Sequence, residues 1–474
     1  MLSTVVDDAY ISARYADHLV NGNALVYNVG EPVEGITNLS WTLYLAGASM
    51  LGVDTLAAMV GGGLICALLA LVAATLLTWT LLPVDRRLLA GLPALLLGCD
   101  PHLASVATNG LESTLVVLLV LVLPLALARA PLLAAVVGPV LVWTRPEGAV
   151  IVAGLLGAEG LHRRRDSLRP VIVPAATSAV AFILVVGLRL MIYGRLVPNT
   201  FSAKASASMW ELLPANVRYL HASGIFWEVA GLILLVAAGF LWRRWRIWGL
   251  AGVAGGGVLL ALQVPLWMPG GRLLLPSLAL TAVVGVVALG AHWQPSPRGL
   301  VGLTSITLVG AALVSWQVGS SVRMRDIAHS VSPGAGAQVA ALHLRRHLED
   351  DSVVAIRDAG VFAYRLGPAI RVAELHERAL TVPHPGGRDA VIADVLEQPP
   401  EAVITTVNRR ERPSLYYKHE RSLRTWLRSQ GASYAYLGRV RQHVRRYYDV
   451  YVRTDLDVPP LPEAVVVNRL GPAL

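Results

Sequence analysis

The chain has 474 residues, 55% of them hydrophobic and 15% charged, with a mean hydropathy of +0.56 and a formal net charge of +9. Soluble proteins carry about a quarter charged residues, so an ordinary soluble enzyme is excluded for the chain as a whole. The positive balance does not point to nucleic acid, because much of it sits in short Arg clusters between apolar runs, where membrane topology uses it.

In chain order, "DDAYISARYADHLV" comes first. Ile11, Tyr15 and Leu19 recur at helical spacing while Asp8, Arg14 and Asp17 take other faces, which predicts an interfacial helix lying beside a membrane. Residues 37–52, "TNLSWTLYLAGASMLG", are short for a span and read as a re-entrant or interfacial helix. About ten apolar runs follow, at 55–82, 88–107, 113–129, 130–144, 147–162, 170–192, 224–242, 247–267, 272–291 and 299–320. From about Arg323 the composition turns Arg-rich and mixed. There "AQVAALHLRRHL" predicts an amphipathic helix, "SVVAIRD" a strand, "AGVFAYRLG" a helix, and "AIRVAEL" and "EAVITTV" two more strands. The expected fold class is therefore a polytopic α-helical membrane bundle with a C-terminal α/β domain. Its parts are an outer-face segment 1–54, a bundle 55–322 and an extracytoplasmic domain 323–474. Cys66 and Cys99 lie far apart in apolar runs and read as packed thiols.

The positive-inside rule orients the chain. With Asp7 and Asp8 outside, the inner turns hold Arg86, Arg87, Arg129, Arg163 to Arg165, Arg169, Arg243, Arg244, Arg246 and Arg298. An even number of crossings then places the tail outside as well, in a multi-pass plasma-membrane protein.

The outer turns collect most of the remaining polar residues: Asp7, Asp8, Arg14, Glu31, Glu34, Asn109, Glu112, Arg145, Glu147, Arg189, Asn199, Lys204 and Arg272. Charges near membrane depth are costly, so such a collection marks a functional face. Asp7 or Asp8 could serve as a general base, its pKa raised by desolvation and by its neighbour; the plain alternative is a solvated acidic loop. Arg145 in "WTRPEGA" is read as a cation at a helix start, an unfavourable place that calls for a carboxylate or phosphate partner. Arg272 in "PGGRLLLP" raises the same question. With Lys204 the two arginines could bind a lipid phosphate, against the plainer reading of snorkelling to head groups. Asn109 and Glu112 in "TNGLEST" fit either a capped helix start or sugar binding.

Together and in this order, these segments resemble the GT-C superfamily of polytopic glycosyltransferases, nearest to its AftB-like branch of arabinofuranosyltransferases and ZomB-like proteins. The motifs are "DDAYISARYADHLVNGNALVYNVGEPVEGITNLSW", "VATNGLEST", "WTRPEGA", "YGRLVPNTFSAKA", "MPGGRLLLP" and, in the tail, "VVAIRDAGVFAYRLG". The resemblance implies an inverting transfer of a sugar, arabinofuranose in that branch, from a polyprenyl-phosphate donor to a cell-envelope glycan. It implies an acidic base at the outer end of the first membrane helix, which maps here to Asp7 or Asp8. Asp7 lies nearer the expected helix end. Arg145, Arg272 and Lys204 would neutralise the leaving phosphate. Arg14, Glu34, Asn109, Glu112, Glu147 and Asn199 are the expected substrate-binding residues. No cofactor is assigned, and a divalent metal between carboxylates and phosphate is left open. Membrane lipid is an expected partner and nucleic acid is not. "MLSTVV" reads as the outer end of a membrane helix, so the expected product starts upstream of Met1. The competing readings are a non-catalytic assembly or flagellar-motor-associated protein, and a transporter of lipid-linked sugar. A transporter would more often show internal repeats and midplane charges, and the sequence shows neither.

Overall fold

The computed structural model describes residues 5–163, 167–196, 198–199, 209–223, 225, 245–264, 266, 269–292, 296–320, 334–357, 359–375, 397–408, 418–430, 433–443 and 446–468. Two helices open the chain, α1 (Asp7–Val20) and α2 (Leu39–Met50). The bundle follows with α3 (Thr55–Leu81), a 3-10 turn at Val84–Gly91, α4 (Leu92–Gly98), α5 (Pro101–Ala107), α6 (Ser113–Arg129), α7 (Pro131–Thr144), α8 (Gly148–Arg163) and α9 (Arg169–Tyr193). It continues with α10 (Met209–Ser223), α11 (Trp245–Leu262), α12 (Leu275–His292) and α13 (Pro297–Ser320). Each expected apolar run among the described residues is largely helical; of the run 224–242 all but Ile225 lies outside them.

By length and composition, α3 and α9 are long and apolar enough to cross a membrane. A third candidate is bent by 65° between Gly98 and Pro101. Its break has a local cause: Pro101 cannot donate to the preceding turn, and the Asp100 carboxylate accepts from the His102 N–H at 2.7 Å, starting a new helix. The other apolar helices are shorter. On α3 the small residues Ala67, Ala70, Ala73 and Ala74 face inward, while Leu68 (63% exposed) and Val72 (54%) face out. α9 likewise exposes Ile183 and Met191. Large apolar side chains facing outward along helices of this length fit a lipid surround. Cys66 and Cys99 are free thiols.

The tail carries α14 (Ala335–His347), α15 (Val361–Leu366) and α16 (Lys418–Ser429) around one six-stranded sheet. Its strands are β1 (Val353–Ile356), β2 (Arg371–Glu374), β3 (Ala402–Asn408), β4 (Tyr434–His443), β5 (Arg446–Arg453) and β6 (Val466–Asn468), in the order β2-β1-β3-β5-β4-β6. β1 runs parallel to β2 and β3, and the remaining pairs are antiparallel. Alternation sorts the side chains: Val354, Ile356 and Ile404 pack with α14 and α15, whereas Ala355 and Val403 pack with α16. Strands β4 and β5, rich in Tyr and Arg, contribute packing here. Tyr448 and Tyr451 are buried, and Asp449 between them is held by Arg424 at 3.2 Å and Arg439 at 2.6 Å.

α1 differs from the expected surface helix. Tyr15, Tyr27 and Ile36 belong to the core of the tail, whereas Val5, Val6, Ala9 and Ala13 pack with Trp41, Leu45, Met59, Leu111 and Val361. The helix is thus buried from both sides and joins bundle to tail. Its partners in the tail lie about 350 positions away in sequence, which is why local periodicity could not find them.

Candidate active site

The polar centre is built on three segments that the fold brings together. Asn38 precedes α2, Glu112 precedes α6, and Arg145 and Glu147 lie between α7 and α8. Arg145 donates from Nη1 to Glu112 Oε1 at 2.7 Å and from Nε to Glu147 Oε1 at 2.6 Å. Asn38 Nδ2 donates to the other Glu112 oxygen, Oε2, at 2.7 Å. Asn38 Oδ1 in turn accepts from Ser12 Oγ at 3.0 Å and from Thr42 Oγ1 at 3.3 Å. Trp41 Nε1 donates to the Gly110 carbonyl at 3.0 Å and fixes the loop that carries Glu112.

Arg145 directly follows the last residue of α7, in extended conformation. It therefore sits at a helix C-terminus, where a cation is favoured, and not at the helix start inferred from Pro146. Its need for an anion is met twice over, by carboxylates. Glu112 is only 3% exposed. Burial alone would raise its pKa, but Arg145, Arg272 and the Asn38 hydrogen bond outweigh burial and hold the carboxyl below the usual 4.5. Glu112 is therefore an anion at neutral pH, and the Glu112–Arg145–Glu147 chain is a satisfied ionic network.

Arg272 follows the glycine turn Pro269–Gly271 and precedes α12. Gly270 and Gly271 both have positive φ there, 80° and 53°, which glycine adopts without strain. Among the described residues, Arg272 makes no hydrogen bond and no ion pair. It interacts electrostatically with Glu112, Arg145, Asp8 and Glu147. Burial pulls its pKa below the ordinary 12.5, which still leaves a charged guanidinium, partly desolvated and without a direct partner among the described residues. Asp8, in the first turn of α1, is half-buried and also makes no hydrogen bond among the described residues.

Asp7 faces elsewhere. Its Oδ2 accepts from the Gly360 N–H and its Oδ1 from the Val361 N–H, both at 2.9 Å. The two adjacent aspartates thus have different surroundings, one clasped by tail backbone and one without a hydrogen bond among the described residues and in electrostatic reach of Arg272.

The remaining expected residues divide clearly. Arg14, expected at a substrate, is 1% exposed, and every guanidinium nitrogen donates within the protein. Its acceptors are the carbonyls of Tyr27 (2.7 Å), Ala363, Gly367 (3.0 Å) and Ile370 (3.0 Å), with Asn28 Oδ1 at 3.4 Å. No donor is left for a substrate, so Arg14 is a pin between α1 and the tail. Asn109 is turned inward as well, its Oδ1 accepting from Leu111 N at 2.9 Å. Glu34 and Asn199 form a second cluster: Arg189 Nε donates to Glu34 at 2.8 Å, and the Asn199 N–H to the Glu34 carbonyl at 3.3 Å. Burial raises the Glu34 carboxyl even beside Arg189. Lys204 lies outside the described residues. Among the described residues no group of three or more His, Cys, Asp or Glu side chains is arranged to hold a metal ion. Sequence reasoning passed over Asn38 and Ser12. The available signal was an amide next to an apolar helix start, and helix capping explained that equally well.

No family model matches the sequence, and no curated protein does. Solved structures do match. ArnT from Cupriavidus metallidurans superposes with a TM-score of 0.58 at 14% identity, over 95% of this chain and 94% of that one. An oligosaccharyltransferase from Archaeoglobus fulgidus gives a TM-score of 0.52 at 12% identity, over 96% of this chain and 72% of that one. The arabinofuranosyltransferase AftD from Mycobacteria gives 0.55 at 14% identity, over 95% of this chain but 39% of AftD. The chain shares its fold with these glycosyltransferases, as the resemblance to the GT-C superfamily implies. At these identities the likeness is one of fold.

Proposed function

We propose that this protein is an integral membrane glycosyltransferase that moves a sugar from a polyprenyl-phosphate donor to an extracytoplasmic cell-envelope glycan, with inversion. One observation carries the reading: a charged Arg272 with no hydrogen bond or ion pair among the described residues, set beside the Glu112–Arg145–Glu147 network, whose two carboxylates outnumber its one guanidinium, and in electrostatic reach of Asp8. In this scheme Asp8 takes the proton of the acceptor hydroxyl as its oxygen attacks the anomeric carbon. The bond from that carbon to the phosphate oxygen breaks, and the polyprenyl phosphate leaves with its new charge beside Arg272. The sugar–phosphate bond is already activated, so positioning and charge stabilisation suffice. Glu112 and Arg145 hold the site's shape, Glu147 stands at its margin, and Lys204 would help to neutralise the leaving phosphate. Glu34 and Asn199 would then contact the acceptor or the sugar.

The neighbours support the donor class. ArnT has been solved with undecaprenyl phosphate, and an Archaeoglobus fulgidus oligosaccharyltransferase, AglB, with a dolichol-phosphate. The likeness to AftD favours a pentofuranose, arabinofuranose in particular. The Arg clusters of the loops favour residues 55–322 as a multi-pass bundle in the plasma membrane, with 1–54 and 323–474 on its outer side and the tail helping to hold the acceptor.

The test is equilibrium binding of polyprenyl phosphate to the purified chain. Arg272→Ala is expected to weaken binding about 10- to 100-fold, the worth of a charge-assisted contact to phosphate. Unchanged binding by that variant would remove Arg272 from the donor site.

A further inference from the structure

Asp8 lies in the first turn of a helix that lacks its own cap. The residue before α1 is Val6, whose side chain accepts no hydrogen bond, so the first N–H groups of α1 have no side-chain partner from it. A carboxylate on such a turn frays unless something outside the helix holds it, and proton transfer needs placement to about half an ångström. The tail supplies the hold. Asp7 receives one hydrogen bond on each carboxylate oxygen, from the consecutive backbone N–H groups of Gly360 and Val361. The fit is close: a Cβ at Gly360 would collide with the Asp7 carbonyl oxygen and with Oδ2. Contacts on either side keep this junction in register. The Tyr10 and Tyr364 rings lie 5.6 Å apart, and the Tyr364 hydroxyl donates to Thr55 Oγ1 at 2.9 Å. Farther along, the Tyr27 hydroxyl donates to the Ala359 carbonyl at 2.6 Å, and Arg14 reaches Ala363, Gly367 and Ile370.

Successive helical residues point about 100° apart, as 3.6 residues per turn requires. Fixing the direction of Asp7 therefore fixes that of Asp8. We propose that Asp7 is a positioning residue: it and the Gly360–Val361 backbone form a clamp through which the tail domain holds the first turn of α1, and with it Asp8, in place. The proposal rests on the glycosyltransferase reading, with Asp8 as base. It gives the tail a role in the chemistry beyond acceptor binding, because the tail holds the residue next to the base, in addition to the bundle contacts of Val5 and Val6. Gly360 is required at its position because any side chain there would push the clamp apart.

The experiment uses the full chain in single-turnover transfer from a polyprenyl-phosphate sugar, with polyprenyl phosphate binding measured alongside to count folded sites. Asp7→Asn and Gly360→Ala are each expected to slow transfer about 10- to 100-fold, the effect of a base displaced by about an ångström. Donor affinity should stay within about twofold, since Arg272 is untouched. Combining the two should be no worse than the poorer single variant, because both break one contact. The decisive arm is Asp7→Asn in an Asp8→Asn background. If Asp7 acts through Asp8, it adds nothing there; a purely structural role would slow transfer by its full factor again. Such full additivity, or full activity of both clamp variants, overturns the clamp while a slow Asp8→Asn keeps the glycosyltransferase reading standing. Full activity of Asp8→Asn overturns the base assignment and the clamp together. A wild-type protein that binds polyprenyl phosphate and transfers no sugar overturns the reading itself, and the clamp's catalytic role with it.

Discussion

Asp8→Asn is expected to slow sugar transfer by about two to four orders of magnitude while polyprenyl phosphate still binds. That range is the usual contribution of a positioned general base. The two aspartates are neighbours of like charge in one helical turn, and sequence alone could not choose between them. The structure separates their surroundings. Asp7 spends both carboxylate oxygens on backbone N–H groups of the tail, and a carboxylate so engaged is a poor proton acceptor. Asp8 is half-buried, unengaged by hydrogen bonds among the described residues, and coupled to Arg272. The check is the transfer rate at saturating donor for both Asn variants. A larger loss in Asp7→Asn than in Asp8→Asn would reverse the roles assigned here.

Arg145→Met is expected to destabilise the protein by about 3–5 kcal/mol, the consequence of leaving a buried charge without its partner. Glu112 is enclosed on all sides, and Arg145 is the ion-pair partner that holds it. Removing Glu112 at the same time, as Glu112→Gln/Arg145→Met, should restore part of the loss. The dependence on pH has a definite sign. In the native protein the Glu112 carboxyl lies below 4.5, so its contribution to stability is complete above that value and disappears as pH falls through the lower, folded value. In Arg145→Met, burial meets less opposition and the carboxyl rises. The variant should therefore gain relative to the native protein as pH is lowered from about 7 to 5. Thermal unfolding in detergent across that range measures both effects. A variant as stable as the native protein at pH 7 would show that Glu112 has other adequate partners.

Much of this architecture is written in local pattern. Apolar runs broken by Arg clusters mark α3 to α9, and β-branched runs mark β1, β2 and β3 in their correct order. The residues of the site were also visible as types, since charged side chains in an apolar chain stand out. Their pairing was not visible. Arg145 was recognised as needing an anion, but that Glu112, 33 positions earlier, supplies it depends on how α6 and α7 pack. Arg14 was misjudged for a related reason. Beside Asp8 in sequence it looks like part of a site, while its true acceptors are carbonyls of the tail. β5 shows the opposite difficulty. Tyr448, Val450 and Val452 alternate as a strand should, but Asp449 between them and Arg446 and Arg453 at the ends give the stretch a polar appearance. The reason is a buried ionic cluster: Asp449 is fully enclosed by Arg424 and Arg439.

The most direct test of the central claim is transfer by the purified full chain, supplied with polyprenyl-phosphate arabinofuranose, other lipid-linked sugars, and a cell-envelope glycan acceptor. The expected result is release of free polyprenyl phosphate in step with acceptor glycosylation, with the new bond inverted at the anomeric carbon and the activity lost in Asp8→Asn. Binding of polyprenyl phosphate without turnover of any lipid-linked sugar would contradict it, and would leave a glycosyltransferase fold put to non-catalytic use.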